Sequence, residues 1–334
     1  MIPNYNGAAC LENCLRSLVQ QSYGPMEIIV VDNASRDPSL AVVGRIAPRA
    51  RILALNENAG FAGAVNRGVD AAGGEWIAVL NNDTEAAPDW LAECARAIER
   101  HPEAAFFACR ILDYRRRDRI YSAGDCFLRF GIGYRRGQEQ CDGADYAGEI
   151  PVFGACGCAA LLRKSTLEAA RGYDENFFAY LEDVDLALRL QAAGARGYYL
   201  PAATVYHVGG ATSGGEFAPL AVRLRTRNAL LLLCKSIPVS ILMRCAPFIV
   251  AGQASWLIRV IRHGRLLSYL RGLAGVIPLT PRMLAQRRAL RPLWKKPGQH
   301  LWLAILESEE LARHDFPQPG PGQSRLLSWY FRIL

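Results

Sequence analysis

One stretch of the chain reads Trp76-Ile77-Ala78-Val79-Leu80-Asn81-Asn82-Asp83-Thr84, an apolar run that stops on three polar side chains. A run of this length and composition predicts a buried strand that ends at the edge of a sheet. Open α/β sheets bind their ligands at the carboxyl ends of their strands. The stretch therefore predicts a sheet edge with one carboxylate and two amides, although an isolated Asn-Asn-Asp is also typical of an ordinary polar turn.

The residues before this stretch alternate between amphipathic helices and short apolar runs. Leu11 to Leu18 carry apolar side chains at helical spacing, Glu27 to Asn33 form an apolar run that reaches Asp32, and Arg51 to Leu55 form another. Asn58 to Gly68 opens the next helix, and its glycines let a phosphate or ribose approach the backbone, although such glycines also serve helix packing. This rhythm predicts a doubly wound, mainly parallel sheet.

The first motif lies very close to the start of the chain. Asn4-Tyr5-Asn6-Gly7 is a turn signal that normally follows a strand, and only Met1-Ile2-Pro3 precedes it. We therefore expect either a very short first strand or a recorded start that lacks several residues.

Composition indicates a folded protein in a reducing compartment. The chain has 334 residues, of which 51% are hydrophobic and 21% charged. Its ten cysteines are scattered singly, and no signal peptide precedes Met1. Cys10 and Cys14 share a helical face, and Cys156 and Cys158 are too close for the usual zinc spacing, so metal binding is expected of neither pair. These features predict a cytoplasmic protein without a disulfide framework.

Positive charge is concentrated in one region. The formal net charge is +8, yet residues 217–306 contain fifteen Lys or Arg and no Asp or Glu. Residues 237–258 are apolar and long enough to cross a bilayer, but Pro238, Arg244 and Pro247 interrupt them. Beyond them, arginines recur every three residues from Arg259 to Arg265 among apolar side chains.

Three interpretations of this basic, apolar region stay open: a helix in the membrane interface, a spanning or re-entrant segment, and an ordinary helical core. The first is favoured, with an anionic membrane surface as partner. No nucleic-acid-binding motif accompanies the charge, so no nucleic-acid partner is predicted.

A second stretch with candidate catalytic residues runs from Tyr173 to Arg189. Glu182 and Asp183 fall in the first turn of a predicted helix, where the helix dipole alone favours acids. The preceding aromatic residues, which include Phe178 and Tyr180, predict an apolar approach to these acids. A pocket with an apolar wall and a carboxylate at its end suits a general base that acts on a hydroxyl.

Smaller signals surround this stretch. Asp185 and Arg189 are spaced as an i,i+4 ion pair of modest strength. Cys156 and Gly157 belong to a run of small residues before a buried strand, and their lack of bulk predicts that another molecule lies against them. His207 ends the second of two short predicted strands, 197–200 and 203–207, and is equally consistent with a structural hydrogen bond and with a metal ligand.

Taken together, these motifs resemble the family 2 inverting glycosyltransferases with the GT-A fold, and more narrowly their bacterial rhamnosyltransferase-type members. The resemblance spans roughly residues 1–230. It rests on residues 3–7, 31–35, 58–62, 80–84 and 178–185, together with His207.

The resemblance implies roles for individual residues. Asp183 matches the catalytic base, with Glu182 beside it, and Asp83 matches the last acid of the metal-binding motif, with His207 near the metal, which would be Mg2+ or Mn2+. Asn81 stands where many relatives carry an acid, which predicts weak metal binding. Twelve residues are expected to border the nucleotide-sugar: Pro3, Tyr5, Asn6, Asp32, Asn33, Asn58, Gly60, Phe61, Asn66, Asn81, Asn82 and Arg225. Phe178, Tyr180, Cys156 and Gly157 are expected to border the acceptor, and Asn228 belongs with Arg225 to a segment that closes over the site.

These expectations define a GT-A glycosyltransferase, peripheral on the cytoplasmic face of the cell membrane, that acts on a lipid-linked or polysaccharide acceptor. Its predicted parts are a catalytic domain (1–228, with halves 1–105 and 106–228), a basic helical extension (229–315) that associates with the membrane, and a Pro/Gly linker with an aromatic tail (316–334). Two other functions stay open: a sugar-nucleotide nucleotidyltransferase, and an inactive nucleotide-binding membrane scaffold.

Overall fold

The computed structural model describes residues 1–210, 214–293, 298–316 and 330–331. The first half of the chain alternates between strands and helices as the apolar spacing predicts. Its elements are β1 (Ile2–Asn4), α1 (Ala8–Val19), β2 (Ile29–Asp32), α2 (Ser39–Ile46), β3 (Arg51–Ala54), α3 (Gly60–Ala71), β4 (Trp76–Leu80), β5 (Thr84–Ala86) and α4 (Trp90–Arg100).

The middle of the chain, from 106 to 207, is richer in strands than its sequence indicates. Its elements are β6 (Phe106–Asp113), β7 (Ile120–Ser122), β8 (Asp125–Leu128), β9 (Ile132–Arg135), β10 (Ile150–Pro151), β11 (Ala159–Arg163), α5 (Lys164–Ala169), α6 (Glu182–Ala192) and β12 (Gly197–His207). The two short strands predicted at 197–200 and 203–207 are one strand, β12, whose register shifts between Leu200 and Thr204.

The sheet is parallel in its N-terminal part and mixed beyond it. β3, β2 and β1 pair in parallel, and β1 lies beside β4, since the Leu80 amide donates to the Met1 carbonyl (3.0 Å). The order then continues through β11, β6, β12 and β10, with β11 antiparallel to both neighbours and β12 parallel to β6. The predicted α/β fold is confirmed, and its parallel pairing places Asn4 beside Asp32.

Two apolar layers cover the sheet. On one face, α1 buries Leu11, Cys14, Leu15 and Leu18, the residues whose spacing predicts this helix. On the other face, α3 and α6 pack their small and aliphatic side chains against β2, β4 and β11. All ten cysteines are free.

The C-terminal helices are α7 (Pro219–Ser236), α8 (Val239–Arg262), α9 (Leu266–Ala274), α10 (Thr280–Leu290) and α11 (Gln299–Arg313). The expected domain boundary at residue 228 falls inside α7. Leu231, Met283 and Ile305 from these helices share a core with Phe177 and Leu188. The described part of the extension is therefore packed into the catalytic half.

One expectation for this region is wrong, and another falls largely outside the described residues. The basic helix expected across Arg259 to Arg265 is interrupted, because α8 ends at Arg262 and Gly264 adopts φ +66° before α9 begins. Of the expected linker and tail, only Phe316, Tyr330 and Phe331 lie within the described residues. All three are buried, with Phe316 stacked on Phe331 (4.6 Å between centroids), so these rings bind the protein itself.

Candidate active site

The carboxyl ends of β1, β2 and β4 meet through one asparagine. Asn4 Nδ2 donates to Asp32 Oδ1 (3.1 Å) and Asn4 Oδ1 accepts from Asn82 Nδ2 (2.7 Å). The second oxygen of Asp32 accepts from the Ser35 amide (3.0 Å). These buried bonds fix the strand ends relative to one another, and they commit the Asn82 amide nitrogen to the scaffold.

Several other predicted donor-site amides also hold the backbone. Asn33 binds the start of α3 through the Gly60 carbonyl (2.9 Å) and the Ala59 amide (3.1 Å), and Asn58 Oδ1 accepts from the Gly60 amide (2.9 Å). Asn66 bonds both the amide (2.9 Å) and the carbonyl (2.8 Å) of Tyr173. Their bonds position the segments around the site, and a direct contact with nucleotide stays a prediction.

Four other predicted donor-site residues lie at this edge, and Arg225 lies against the Tyr180 ring. Pro3 lies in β1, and Asn6 Oδ1 accepts from the Arg36 amide (2.8 Å). Tyr5 is 37% exposed beside them, and Asn81 directly follows β4. Arg225 pairs with Glu216 (3.0 Å) and lies over the Tyr180 ring (5.8 Å to the centroid).

Asp83 and His207 are brought together at the end of β4 and β12. β5 pairs with β12 so that His207 faces Thr84, and His207 Nε2 lies 3.1 Å from Asp83 Oδ1. Both side chains are buried, and among the described residues His207 Nδ1 has no hydrogen-bond partner. A carboxylate oxygen and an imidazole nitrogen in contact fit a Mg2+ or Mn2+ ion that takes its other ligands from substrate and water.

Asp183 lies at the start of α6 with both carboxylate oxygens oriented by backbone amides. The Gly157 amide donates to Oδ2 (3.0 Å) and the Val184 amide donates to Oδ1 (2.8 Å). A Cβ on Gly157 would lie 3.3 Å from Asp183 Oδ2 and 3.4 Å from the Phe61 ring. A side chain at residue 157 would therefore crowd both the carboxylate and the Phe61 ring, and glycine lets the backbone amide approach Asp183 closely.

Glu182 is a buried acid next to this carboxylate. Burial, together with the nearby Asp183 charge, raises the pKa of Glu182 well above its usual value. Its Oε2 atom has no hydrogen-bond partner within the described residues. The raised pKa favours the protonated form of Glu182, whereas both oxygens of Asp183 accept from backbone amides, so Asp183 is the candidate base of the pair.

The aromatic segment before α6 adopts strained backbone conformations. Phe178, Tyr180 and Leu181 have φ of 65°, 70° and 67°, which is unfavourable for side chains of this size. Asn228 Nδ2 of α7 lies 2.7–2.9 Å from the carbonyls of residues 177, 179 and 180. The helix therefore holds the segment that carries Tyr180, whose hydroxyl has no partner among the described residues.

The Asp185–Arg189 pair differs from its sequence interpretation. Asp185 is fully buried and accepts from Arg189, from Lys235 (2.8 Å) and from Ser236 (2.6 Å). Burial opposes its charge, but Arg189 and Lys235 lower the pKa of Asp185 to about 2. Lys235 also binds Asp174 (2.7 Å). The network joins α6, α7 and the aromatic segment, so the pair is much more than a surface contact.

Sequence reasoning missed an acid beside the candidate base. Asp125 of β8 is buried, and one ligand-type atom each of Asp125, Cys156 and Asp183 lies within 4.8 Å of the others. Burial and the Asp183 charge raise the pKa of Asp125 to about 7. The only sequence signal was one acid followed by the apolar residues 126–128.

A sheet of this topology, with its polar groups at the carboxyl ends of the strands and an oriented carboxylate across from them, defines a GT-A glycosyltransferase. The profile described as "Glycosyl transferase family 2" matches residues 1–170, just over half of the chain, and the chain belongs to this family.

Known proteins agree with this assignment. N-acetylglucosaminyl-diphospho-decaprenol L-rhamnosyltransferase of Mycobacterium tuberculosis is 28% identical over 232 residues, which cover 61% of this chain and 73% of that protein. TarS of S. aureus superposes with a TM-score of 0.53 at 14% identity, covering 97% of this chain and 91% of that one. The mannosyltransferase PcManGT of Pyrobaculum calidifontis, solved with GDP-Man and Mn2+, has a TM-score of 0.50 at 17% identity, covering 94% and 85%.

Proposed function

We propose that the protein transfers a sugar, with rhamnose the first candidate, from a nucleoside-diphosphate-sugar to a hydroxyl of a lipid-linked acceptor, with inversion at the anomeric carbon. The observation that carries the proposal is the Asp183 carboxylate, which two backbone amides orient close to Gly157 and the Phe61 ring. The rhamnosyltransferase relative, whose name contains a diphospho-decaprenol acceptor, supports the sugar and the acceptor class.

The chemistry requires one base and no protein nucleophile. As the acceptor oxygen attacks the anomeric carbon, Asp183 takes the proton of the acceptor hydroxyl, and the bond to the nucleoside diphosphate breaks in the same displacement. Asp83 and His207 would hold a divalent cation, which when bound stabilises the charge on the departing diphosphate. The raised pKa of Glu182 favours its uncharged form beside the base.

Asp183→Asn tests the role of the base. We expect it to bind nucleotide-sugar as the wild-type protein does, while turnover falls about 10²–10⁴-fold. A panel of nucleotide-sugars with Mn2+, assayed for donor hydrolysis and for transfer, identifies the donor first. Asp70→Asn, an exposed carboxylate on α3, is the matched control.

Three results would contradict the proposal. Near-normal turnover of Asp183→Asn would show that Asp183 is not the base. Release of pyrophosphate from a nucleoside triphosphate and a sugar phosphate would indicate a nucleotidyltransferase. A wild-type protein that neither binds nor turns over any donor would indicate a scaffold.

We also propose that the protein binds the cytoplasmic face of an anionic membrane through α8 and α9. The membrane face comprises exposed apolar side chains on both helices: Val239, Met243, Val250, Ile258, Ile261, Leu266, Leu267 and Leu270. α8 is long and apolar enough to cross a membrane, and only 11% of its most apolar 18-residue window is buried in the protein. The exposed Arg262 and Arg271 lie among these side chains, which suits a surface of anionic lipids.

Vesicle binding tests the membrane face. We expect co-sedimentation with phosphatidylglycerol vesicles, release by high salt, and loss of binding in the double variant Met243→Asp/Val250→Asp. Leu40→Asp, an equally apolar but distant exposed position, is the control. Protein that stays on membranes through salt and alkaline washing would instead indicate a spanning or re-entrant α8.

A further inference from the structure

The β8–β9 hairpin directs one arginine toward the candidate active site. Arg135 pairs across the hairpin with Asp125, the acid beside Asp183. Its guanidinium carbon lies 4.2 Å from the centroid of the Tyr121 ring. The preceding residue, Tyr134, bonds instead to Asp315 of the C-terminal segment (2.9 Å), so alternate residues of β9 contact different surroundings.

Arg135 lies between the candidate metal centre and the candidate base. On one side, the Tyr121 ring that it covers contacts His207 edge-on (4.4 Å between centroids), and His207 contacts Asp83. On the other side, Asp125 lies within 4.8 Å of Asp183. The guanidinium is therefore near both the candidate metal centre and the candidate base.

The donors of the Arg135 side chain have no partner in the part of the chain that the structure describes. Within the described residues it forms no ion pair and no hydrogen bond, whereas Arg117, also stacked on a tyrosine (4.0 Å), pairs with Glu85 (2.9 Å). Burial opposes its charge, but Tyr121, Cys156 and Asp125 raise the pKa of Arg135 above its usual value. A partly exposed, permanently charged guanidinium that stacks on a ring but has no hydrogen-bond or ion-pair partner among the described residues suits an anion from outside the chain.

We propose that Arg135 binds a phosphate group of the substrates, in an anion subsite between Asp83 and Asp183. Its planar donor fork matches two oxygens of one phosphate, which a lysine cannot reproduce. This inference rests on the proposed function, under which two diphosphates enter the site: that of the nucleotide-sugar and that of the lipid-linked acceptor. The chemistry is shared, and acceptors with and without a diphosphate distinguish the two sources.

Pyrophosphate binding tests the subsite without any sugar transfer. Inorganic pyrophosphate is titrated by calorimetry, with and without Mn2+, into wild-type protein, Arg135→Gln, Arg135→Lys and the control Arg117→Gln. We expect affinity to fall about 10–100-fold in Arg135→Gln and less in Arg135→Lys, and to be unchanged in the control. Thermal melting verifies that each variant is folded, and the lysine variant keeps an alkyl chain over Tyr121.

Kinetics then assign the source. If the acceptor supplies the phosphate, Arg135→Gln raises KM for a prenyl-diphosphate-linked sugar but not for the alkyl glycoside of the same sugar. If the donor supplies the phosphate, inhibition by UDP, GDP or dTDP is weaker in Arg135→Gln than in wild type with both acceptors. Both outcomes support the subsite.

The proposal is overturned if folded Arg135→Gln binds pyrophosphate within twofold of wild type, or if the wild-type protein does not bind it. Absence of sugar transfer in wild-type protein would instead reject the proposed function, and the pyrophosphate comparison would still decide the subsite.

Discussion

Replacing Asp125 with asparagine measures how much an ionisable carboxyl group beside the candidate base changes the free energy of unfolding. The substitution keeps the shape of the side chain and an oxygen that accepts from Ser122 (3.1 Å), but it cannot ionise. A pKa of about 7, against an ordinary value of 3.8, is equivalent to roughly 4 kcal/mol between the folded and unfolded states. This is the penalty for ionising Asp125 inside the folded protein.

The sign of the effect follows from proton binding. Because the folded-state pKa is raised, the folded protein holds a proton on Asp125 between pH 4 and 7 that the unfolded chain releases. The stability that Asp125 contributes is therefore present below pH 4 and is lost as the pH rises through 7. Asparagine carries no such dependence, so the free energy of unfolding of Asp125→Asn relative to wild type should rise by up to roughly 4 kcal/mol from pH 4 to pH 8.

Urea unfolding at pH 4.5, 6 and 8 measures this difference. Other buried acids, such as Glu182, are present in both proteins, so their titration largely cancels in the comparison. Asp118→Asn, in which the carboxylate is 74% exposed, is expected to give a flat difference. A difference for Asp125→Asn that stays constant within about 0.5 kcal/mol across this range would refute the reasoning.

Three further changes test other features. Gly60→Ala should lower stability by about 2–4 kcal/mol and weaken donor binding, because φ is +75° and a Cβ would lie 2.3 Å from the Phe178 carbonyl oxygen. Gly44→Ala, with open space around it, is the control in chemical unfolding. Equal effects of the two substitutions would contradict the steric argument. Asp185→Asn should cost about 3–5 kcal/mol in the same assay, because it leaves Lys235 and a buried arginine without their shared carboxylate, and a cost below about 1 kcal/mol would argue against the network. His207→Ala should raise the Mn2+ concentration for half-maximal activity about tenfold or more, and an unchanged Mn2+ titration would remove His207 from the metal site.

Much of the fold was predictable because its signals are local. The apolar run at residues 76–80 and the helical spacing from Leu11 to Leu18 each record the face that one element buries, and both elements form as expected. The residues between 110 and 150 gave no such signal. Their strands are three or four residues long, too short for alternation to be recognised.

The candidate site was predictable only in part, for a related reason. Asp83 and Asp183 stand at element ends, within motifs whose resemblance to a known family implies a role for each. Asp125 and Arg135 belong to the candidate site only because the β8–β9 hairpin brings them beside these groups. No periodicity in the sequence predicts that proximity. Lys235 is one charge after the apolar run 229–234 of α7, and its partners lie 50 and 61 residues away along the chain.

The contacts between α7 and the aromatic segment have a consequence for protein engineering. Asn228 and Lys235 form hydrogen bonds with residues 174–185. Both lie beyond residue 170, where the family profile ends. A minimal version that stops there would lose Asp183 itself, and a cut just after it would leave strained backbone without its support. Chimaeras that exchange acceptor preference between relatives should therefore transfer residues 173–236 as one block.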